Sequence, residues 1–250
     1  MHRHFVLPFV IVCLFCAAAR GADDAATLLK VIQSTDSPDV DRANAFEKVG
    51  DIAGEEAIAP LASFLGDKQW SHYARFALQK MPGEQVTEAL VRSLDTVQGD
   101  LKLGVIGTIG RRRDPIAVGP LAGLLADADA KVADSAAVAL GWIATRDAAE
   151  ALNEAFGEEQ DAKRKVSLAH ALLLVGQQLA RDGDTPTAIA VFDQLRTADV
   201  PKACRMGATQ NAILVRGEQG VDLMIEQLES SDADHFQIGL AVSRVLPGDG

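Results

Sequence analysis

Few side chains in this sequence stand at spacings that could hold a metal ion or perform catalysis. His72, His170 and His235 lie far apart, and none has a second His, Cys or carboxylate at a convincing ligand spacing. His170 lies among apolar residues, which favours a core or edge histidine. The motifs H-E-x-x-H and G-x-S-x-G do not occur. We therefore expect no metal site and no cofactor, although catalytic sets whose members are distant in sequence stay open.

Three glycines spaced three residues apart resemble a phosphate-binding loop only superficially. The phosphate fingerprint is G-x-G-x-x-G after a strand, whereas Gly104, Gly107 and Gly110 lie in a segment with helical periodicity. We interpret them as a helix face that allows a neighbouring helix to approach closely.

The side chains that remain as candidates are cationic or aromatic, and they suit binding better than catalysis. Residues 111–113 are three consecutive arginines and form a dense cationic cluster on an acidic chain. Arginines and large exposed aromatics are common at protein interfaces. The other interpretation is that the arginines pair with acids such as Asp114 and that the aromatics pack between repeats. The candidate partner-binding residues are Trp70, Tyr73, Arg111, Arg112 and Trp142.

Charge and composition restrict the class of partner and of fold. The formal charge of −11 argues against a nucleic-acid partner, because affinity for nucleic acids depends on neutralising phosphates with Lys and Arg. The same charge argues against electrostatic anchoring to an anionic membrane. Hydrophobic residues, chiefly Ala and Leu, make up 48% of the chain, and aromatics only 5%. This composition suits closely packed helices better than a β-sandwich, so it favours an all-α fold.

Residues 1–21 have the anatomy of a secretory signal peptide. A short cationic start is followed by 14 apolar residues over 5–18, and small residues stand at the −3 and −1 positions before Ala22. A stable membrane span would need roughly 20 apolar residues. We expect a protein exported to the periplasm or secreted, with no stable membrane span after cleavage. Losing Arg3 and Arg20 would change the formal charge from −11 to −13.

Cysteine use leaves the exported chain without an internal disulfide. Cys13 and Cys16 lie inside the signal segment, and neither follows the small residue that a lipoprotein cysteine requires. Cys204 is the single cysteine after residue 21. Packing must therefore stabilise the fold, and we expect Cys204 to be a buried small hydrophobe.

A nine-residue pattern recurs along the chain, with apolar residues at its fifth and ninth positions. These positions are i and i+4, which lie on one face of a helix. The fifth-position anchors are Leu28, Leu61, Leu90, Leu121, Leu152, Phe192 and Met224. Their steps are 33, 29, 31, 31, 40 and 32 residues, each long enough for one helical hairpin with two turns. The sixth copy fits worst, because Arg196 stands at its ninth position.

A second amphipathic stretch follows each copy, and turn residues separate the segments. The clearest stretch is 132–143, where Ala136 and Ala139 permit close approach of a neighbouring helix. No alternating segment bounded by turns predicts a strand. We expect the longest helix over 162–181, in the copy with the 40-residue step. The pattern predicts an all-α fold over 22–250, an α-solenoid of about seven antiparallel helical hairpins.

Two segments resemble the short bacterial HEAT repeats, including the group named after phycobilisome lyases. They are RANAFEKVGDIA at 42–53 and ADSAAVALGWIATRDAAEALNEAF at 133–156, and Gly50, Gly110 and Gly141 align. The resemblance implies a helical-repeat fold whose second helices line a concave binding surface. Residues 160–216 depart from the pattern and are similar in part to a tetratricopeptide helix.

These observations predict a protein that binds rather than one that catalyses. The leading hypothesis is an exported, non-catalytic scaffold that binds a protein or peptide on its concave face, so we expect that it is not an enzyme. Residues 246–250 match the turn at 81–84, which predicts an array open or truncated at that end. The alternative function is therefore an accessory region of a larger exported enzyme. A lyase or chaperone for a chromophore rests on family analogy alone, and the signal peptide argues against it.

Overall fold

The computed structural model describes residues 24–246, and in that part of the chain every regular element is a helix. The α-helices are α1 (24–33), α2 (Asp39–Ile52), α3 (Ile58–Ala62), α4 (Ser71–Lys80), α5 (Glu84–Ser93), α6 (Gly99–Arg112), α7 (Val118–Gly123), α8 (Ala130–Ile143), α9 (Arg146–Glu158), α10 (Ala162–Arg181), α11 (Thr185–Thr197), α12 (Lys202–Arg216), α13 (Val221–Leu228) and α14 (Ala233–Ser243). Odd-numbered helices contain the nine-residue pattern, and even-numbered helices are the second helices of the hairpins. The predicted all-α solenoid of helical hairpins is confirmed.

The chain divides into two compact units, one up to Thr108 and one from Ile109 onward. Each has its own core of aliphatic and aromatic side chains from both helices of successive hairpins. In the first unit Phe46, Leu78 and Leu90 are fully buried, and in the second Leu140 and Phe192 are. Alanines fill the spaces between them, as the low aromatic content of the sequence predicts.

The repeat anchors are buried according to their place in the array. Leu61, Leu90, Leu121, Leu152 and Phe192 have no exposed surface, whereas the first and last anchors, Leu28 and Met224, are half-buried. The nine-residue pattern therefore identifies the side of each first helix that faces the core.

In the irregular sixth copy the core position is displaced by one residue. Arg196 at the ninth position is half-exposed, and Leu195 beside it is fully buried. Positions i+3 and i+4 lie on the same helix face, so Leu195 can replace the missing apolar residue below Phe192. The copy remains a helical hairpin despite its poor match to the pattern.

Three of the first helices, α3, α7 and α13, are shorter than the nine-residue pattern, because a 3-10 turn precedes each. Glu55–Ala57 precedes α3, Pro115–Ala117 precedes α7 and Gly217–Gly220 precedes α13. Pro60 is the third residue of α3, where a missing N–H costs nothing, since the first turn of a helix has no acceptors for it. After α3 the backbone N–H groups of Phe64 and Leu65 donate to carbonyl oxygens three residues earlier, so the chain leaves the α-helix in a tighter turn.

Glycines mark the points where successive second helices cross. A Cβ atom on Gly50 in α2 would lie 2.5 Å from the Ala77 carbonyl oxygen in α4. On Gly110 in α6 it would lie 2.8 Å from Ala139 Cα in α8, and on Gly141 it would meet a leucine of α10 at 2.9 Å. Such distances are well below the roughly 3.5 Å of normal carbon contacts. The alignment of these three glycines therefore corresponds to one repeated structural role.

Two further expectations concern the ends of the fold. The predicted signal peptide over 1–21 and the terminal turn at 247–250 lie outside the described residues. Among the residues from 24 to 246, no helix is both long and apolar enough to cross a membrane.

The longest helix, α10, spans Ala162–Arg181 as predicted, and the Asp161 carboxylate caps it by accepting from the N–H groups of Lys163 and Arg164.

Candidate functional site

Trp70 lies in the interior of the first unit. Its indole is 4% exposed, immediately before α4, with its ring centroid 5.7 Å from that of Phe46 and 5.6 Å from that of Tyr73. The guanidinium carbon of Arg42 lies 4.3 Å from the indole centroid, and Arg42 Nε donates to the Ile32 carbonyl oxygen at 3.0 Å. The expectation that Trp70 is an exposed aromatic is therefore corrected. Arg42, which the sequence pattern did not single out, is 8% exposed and covers it.

Tyr73 is the exposed member of this aromatic cluster. It is 37% exposed, and Phe76, one helical turn further along α4, is 44% exposed. Lys80 Nζ lies 4.7 Å from the Phe76 ring centroid and 2.7 Å from Asp51 Oδ2. Tyr73 and Phe76 thus form an aromatic strip on α4. Phe76 follows Tyr73 by three residues, a spacing that predicts a shared helix face. It was missed because only Trp and Tyr were considered as candidates.

Arg111 and Trp142 come together in the second unit. The guanidinium carbon of Arg111, near the end of α6, lies 5.6 Å from the Trp142 indole centroid, near the end of α8. Arg111 is exposed and Trp142 half-buried. Gly110 makes this possible, because a Cβ at that position would lie 3.0 Å from the indole ring. In the part of the chain that the structure describes, Arg111 has no carboxylate partner.

Arg112 and Asp114 lie beside this pair. Arg112 is half-buried, and burial lowers the pKa of its guanidinium, while the charge of Asp114 acts in the opposite direction. The Asp114 carboxylate accepts a hydrogen bond from the Ile116 N–H at 3.2 Å and so caps the 3-10 turn before α7. Its main structural role is this cap rather than an ion pair with the arginine run.

Arg113 pairs with an acid 69 residues away instead of a nearby one. Its Nη2 bonds to Asp182 in the loop between α10 and α11. In the same loop Asp184 accepts from Arg146 Nε at 2.7 Å and Nη2 at 3.1 Å. The hydrogen bonds from Arg113 and Arg146 hold the pKa values of the two carboxyls below their ordinary range. Sequence inspection missed these pairs because no local spacing connects their members.

The described histidines lie on three different helices, His72 on α4, His170 on α10 and His235 on α14. Among the described residues no three His, Cys, Asp or Glu side chains are grouped so that they could hold a metal ion. His72 and His170 are exposed, the latter on α10 rather than in the core. His235 Nδ1 lies 2.6 Å from the amide oxygen of Gln227, a buried side chain of α13. This pair joins α13 to α14.

In comparison with known protein families, residues 87–173 match the family model of HEAT repeats. No curated protein matches the chain in sequence. A structure of human deoxyhypusine hydroxylase in complex with glycerol is similar at 13% identity and a TM-score of 0.47, over 92% of this chain and 98% of that one. A crystal structure of Kap121p is similar at 14% identity and a TM-score of 0.44, over 91% of this chain and 29% of that one.

The expectation that the chain is not an enzyme is corrected by the first of these structures. Deoxyhypusine hydroxylase is an enzyme with HEAT-like repeats, and its chain is similar to this one. At 13% identity the likeness concerns the fold alone and assigns no reaction or residue to this chain.

Proposed function

We propose that this chain is an exported module that binds a protein or peptide on the surface of its second helices. The HEAT-repeat fold is compatible with a protein-binding scaffold. The choice of the second helices is supported by the resemblance to the short bacterial HEAT repeats, including the phycobilisome-lyase group, which implies that second helices form the binding surface. The proposal of export rests on the signal-peptide anatomy of residues 1–21.

The observation that carries the proposal is the exposed Arg111 guanidinium held over the half-buried Trp142 indole. Arg and Trp are enriched among the residues that contribute most to binding at protein interfaces. Arg111 has no internal carboxylate among the described residues, so its charge and hydrogen-bond donors face outward. The indole restricts where the guanidinium lies, which reduces the side-chain entropy that binding must remove. Half-buried Arg112 adds a second cation beside the pair.

In the first unit the proposed contact is the aromatic strip of Tyr73 and Phe76. Trp70 acts indirectly there, because its buried ring packs against Tyr73 and cannot itself reach a partner. Aromatic side chains held in this way expose a large apolar area at a small entropic cost. We therefore propose a separate contact surface for each unit, with aromatic contacts in the first unit and arginine contacts to acidic or carbonyl groups in the second.

The test is capture of a partner by immobilised native chain from periplasmic or culture extract of the source cells, followed by the same capture with two variants. Arg111→Ala/Trp142→Ala removes the proposed contact, and Val138→Ala alters an exposed residue on the same helix as Trp142. We expect a partner that the double variant loses and Val138→Ala retains. No specific partner, or a partner that both variants retain equally, would refute the proposed site.

A further inference from the structure

A groove with a floor of small apolar side chains lies in the second unit, on the side formed by first helices. It occupies about 280 Å³ between α7, α9 and the start of α10. Pockets for drug-sized ligands occupy about 300–1,000 Å³, so this groove suits one or two side chains better than a whole small molecule. Alanines line it from both sides, among them Ala122, Ala151 and Ala155.

Acidic side chains surround this alanine floor. Glu154 and Glu158 lie one helical turn apart on α9, both exposed, and no cation within the described residues pairs with either. At the other end of the groove, Glu159 is paired with Arg164 at 3.0 Å. Arg164 also donates to the Leu125 carbonyl oxygen at 2.7 Å, so its charge is already engaged. Two carboxylates without an ion pair among the described residues therefore border the groove, while Lys165 of α10 lies over the Phe156 ring of α9, with its Nζ 5.3 Å from the ring centroid.

Helix α9 adds to this negative potential. Glu158 is its last residue, and no basic residue lies in its last turn. The carbonyl end of a helix has a partial negative charge, which favours cations and disfavours carboxylates there. An external cation at this position would satisfy both the helix end and the two glutamates.

The corresponding groove of the first unit has a different charge at the equivalent position. It lies between α3 and α5, again on alanines, and occupies about 540 Å³. Arg92 of α5 occupies the seventh position of its nine-residue copy, as Glu154 does in α9. Arg92 lies 3.5 Å from Glu88 of the same helix, so an internal cation is already present. At this position the groove of the second unit has the carboxylate of Glu154, whereas the groove of the first unit has the guanidinium of Arg92.

We propose that the α7–α9 groove binds lysine or arginine side chains from a cationic segment of a partner protein. The alkyl stem lies on the alanine floor, and the cationic group lies beside Glu154 and Glu158. The groove is lined by the first helices α7 and α9 and by the start of α10, whereas Arg111 and Trp142 lie near the ends of the second helices α6 and α8. This surface can therefore be tested independently of the function proposed above.

The experiment measures binding of a fluorescein-labelled hexa-arginine amide to the full chain by fluorescence anisotropy, with hexa-citrulline as the neutral probe. Glu154→Gln/Glu158→Gln is compared with Glu226→Gln/Glu229→Gln, which removes the same charge from two exposed positions, one in α13 and one at its C-cap. We expect the first variant to weaken hexa-arginine binding about tenfold or more, as loss of charge-assisted hydrogen bonds does, and the control by less than about twofold. We expect hexa-citrulline to bind the native chain at least about tenfold more weakly than hexa-arginine for the same reason.

A second variant tests the floor of the groove without changing charge. Ala151 is half-exposed, so Ala151→Leu fills the groove while circular dichroism confirms that the helices remain. We expect the same loss of hexa-arginine binding. Equal weakening by both glutamine pairs, undiminished hexa-citrulline binding, or full binding by Ala151→Leu would overturn the proposal. So would self-association of the native chain that Glu154→Gln/Glu158→Gln abolishes, because the occupant would then be a second copy.

Discussion

Burial separates side chains of the same type into two roles in this molecule. Arg42 and Trp70 pack face to face inside the first unit, whereas Arg111 and Trp142 make a similar contact at the surface of the second. The buried pair stabilises the fold and lets Tyr73 lie across its edge. The surface pair leaves a guanidinium outside, where a partner can reach it. Residue type alone did not distinguish these roles.

Cys204 provides a residue-scale prediction about reactivity. Its thiol is buried, and burial raises its pKa, so little of the reactive thiolate forms near neutral pH. We expect the native chain, with Cys13 and Cys16 replaced by Ser, to react slowly with a thiol reagent such as DTNB at pH 8. Unfolding in urea should make the reaction fast. Complete labelling of the folded chain within the mixing time would show that Cys204 is accessible.

Helix α6 has two glycines whose substitution should have opposite effects on stability. A Cβ on Gly110 would collide with Ala139 in α8, whereas a Cβ on Gly107 meets nothing within 4 Å. Gly107→Ala should raise the free energy of unfolding by about 0.5–1 kcal/mol, because alanine loses less backbone entropy in a helix. Gly110→Ala should lower it by about 1–3 kcal/mol, the usual cost of overpacking.

Urea unfolding followed by circular dichroism measures both glycine variants. Their comparison separates helix propensity from packing, since both positions lie on the same helix. If Gly110→Ala were as stabilising as Gly107→Ala, α6 and α8 would not approach each other as closely as described.

The loop between α10 and α11 gives a prediction on pH dependence. The folded-state pKa values of Asp182 and Asp184 are lowered by hydrogen bonds from Arg113 and Arg146. Their contribution to stability is therefore present above the unfolded carboxyl pKa of about 4 and is lost as pH falls through the lowered folded pKa. We expect the native chain to exceed Asp182→Asn/Asp184→Asn in urea midpoint at pH 7. The two should converge once the pH falls below the lowered folded-state pKa values of both carboxyls.

The control for this pH series is Asp95→Asn, which changes the charge at an exposed position that has no ion pair among the described residues. We expect its urea midpoint to stay near that of the native chain throughout. The role of the two ion pairs would be contradicted if the urea midpoints of the native chain and of Asp182→Asn/Asp184→Asn differed by the same amount at every pH.

At the scale of the whole molecule, local periodicity was sufficient to predict the hairpins but not the contacts between distant loops. The i and i+4 anchors repeat because the first helices bury the same face in the core of their own unit. The glycines Gly50, Gly110 and Gly141 repeat because a second helix lies close to each of them. Arg113 and Asp182 are 69 residues apart, and nothing in their neighbourhoods indicates the pair. The burial of Trp70 likewise depends on Arg42, a residue of another helix. Surface sites depend on such long-range contacts, so the sequence predicted the fold better than the site.

The measurement that tests the central proposal most directly is the affinity of a captured partner for the native chain and for Trp142→Ala, by isothermal titration calorimetry. Truncating a residue central to an interface costs about 2 kcal/mol or more, which is about a thirtyfold increase in Kd. We predict at least this loss for Trp142→Ala and an unchanged Kd for Val138→Ala. An unchanged Kd for Trp142→Ala would contradict binding through the second helices.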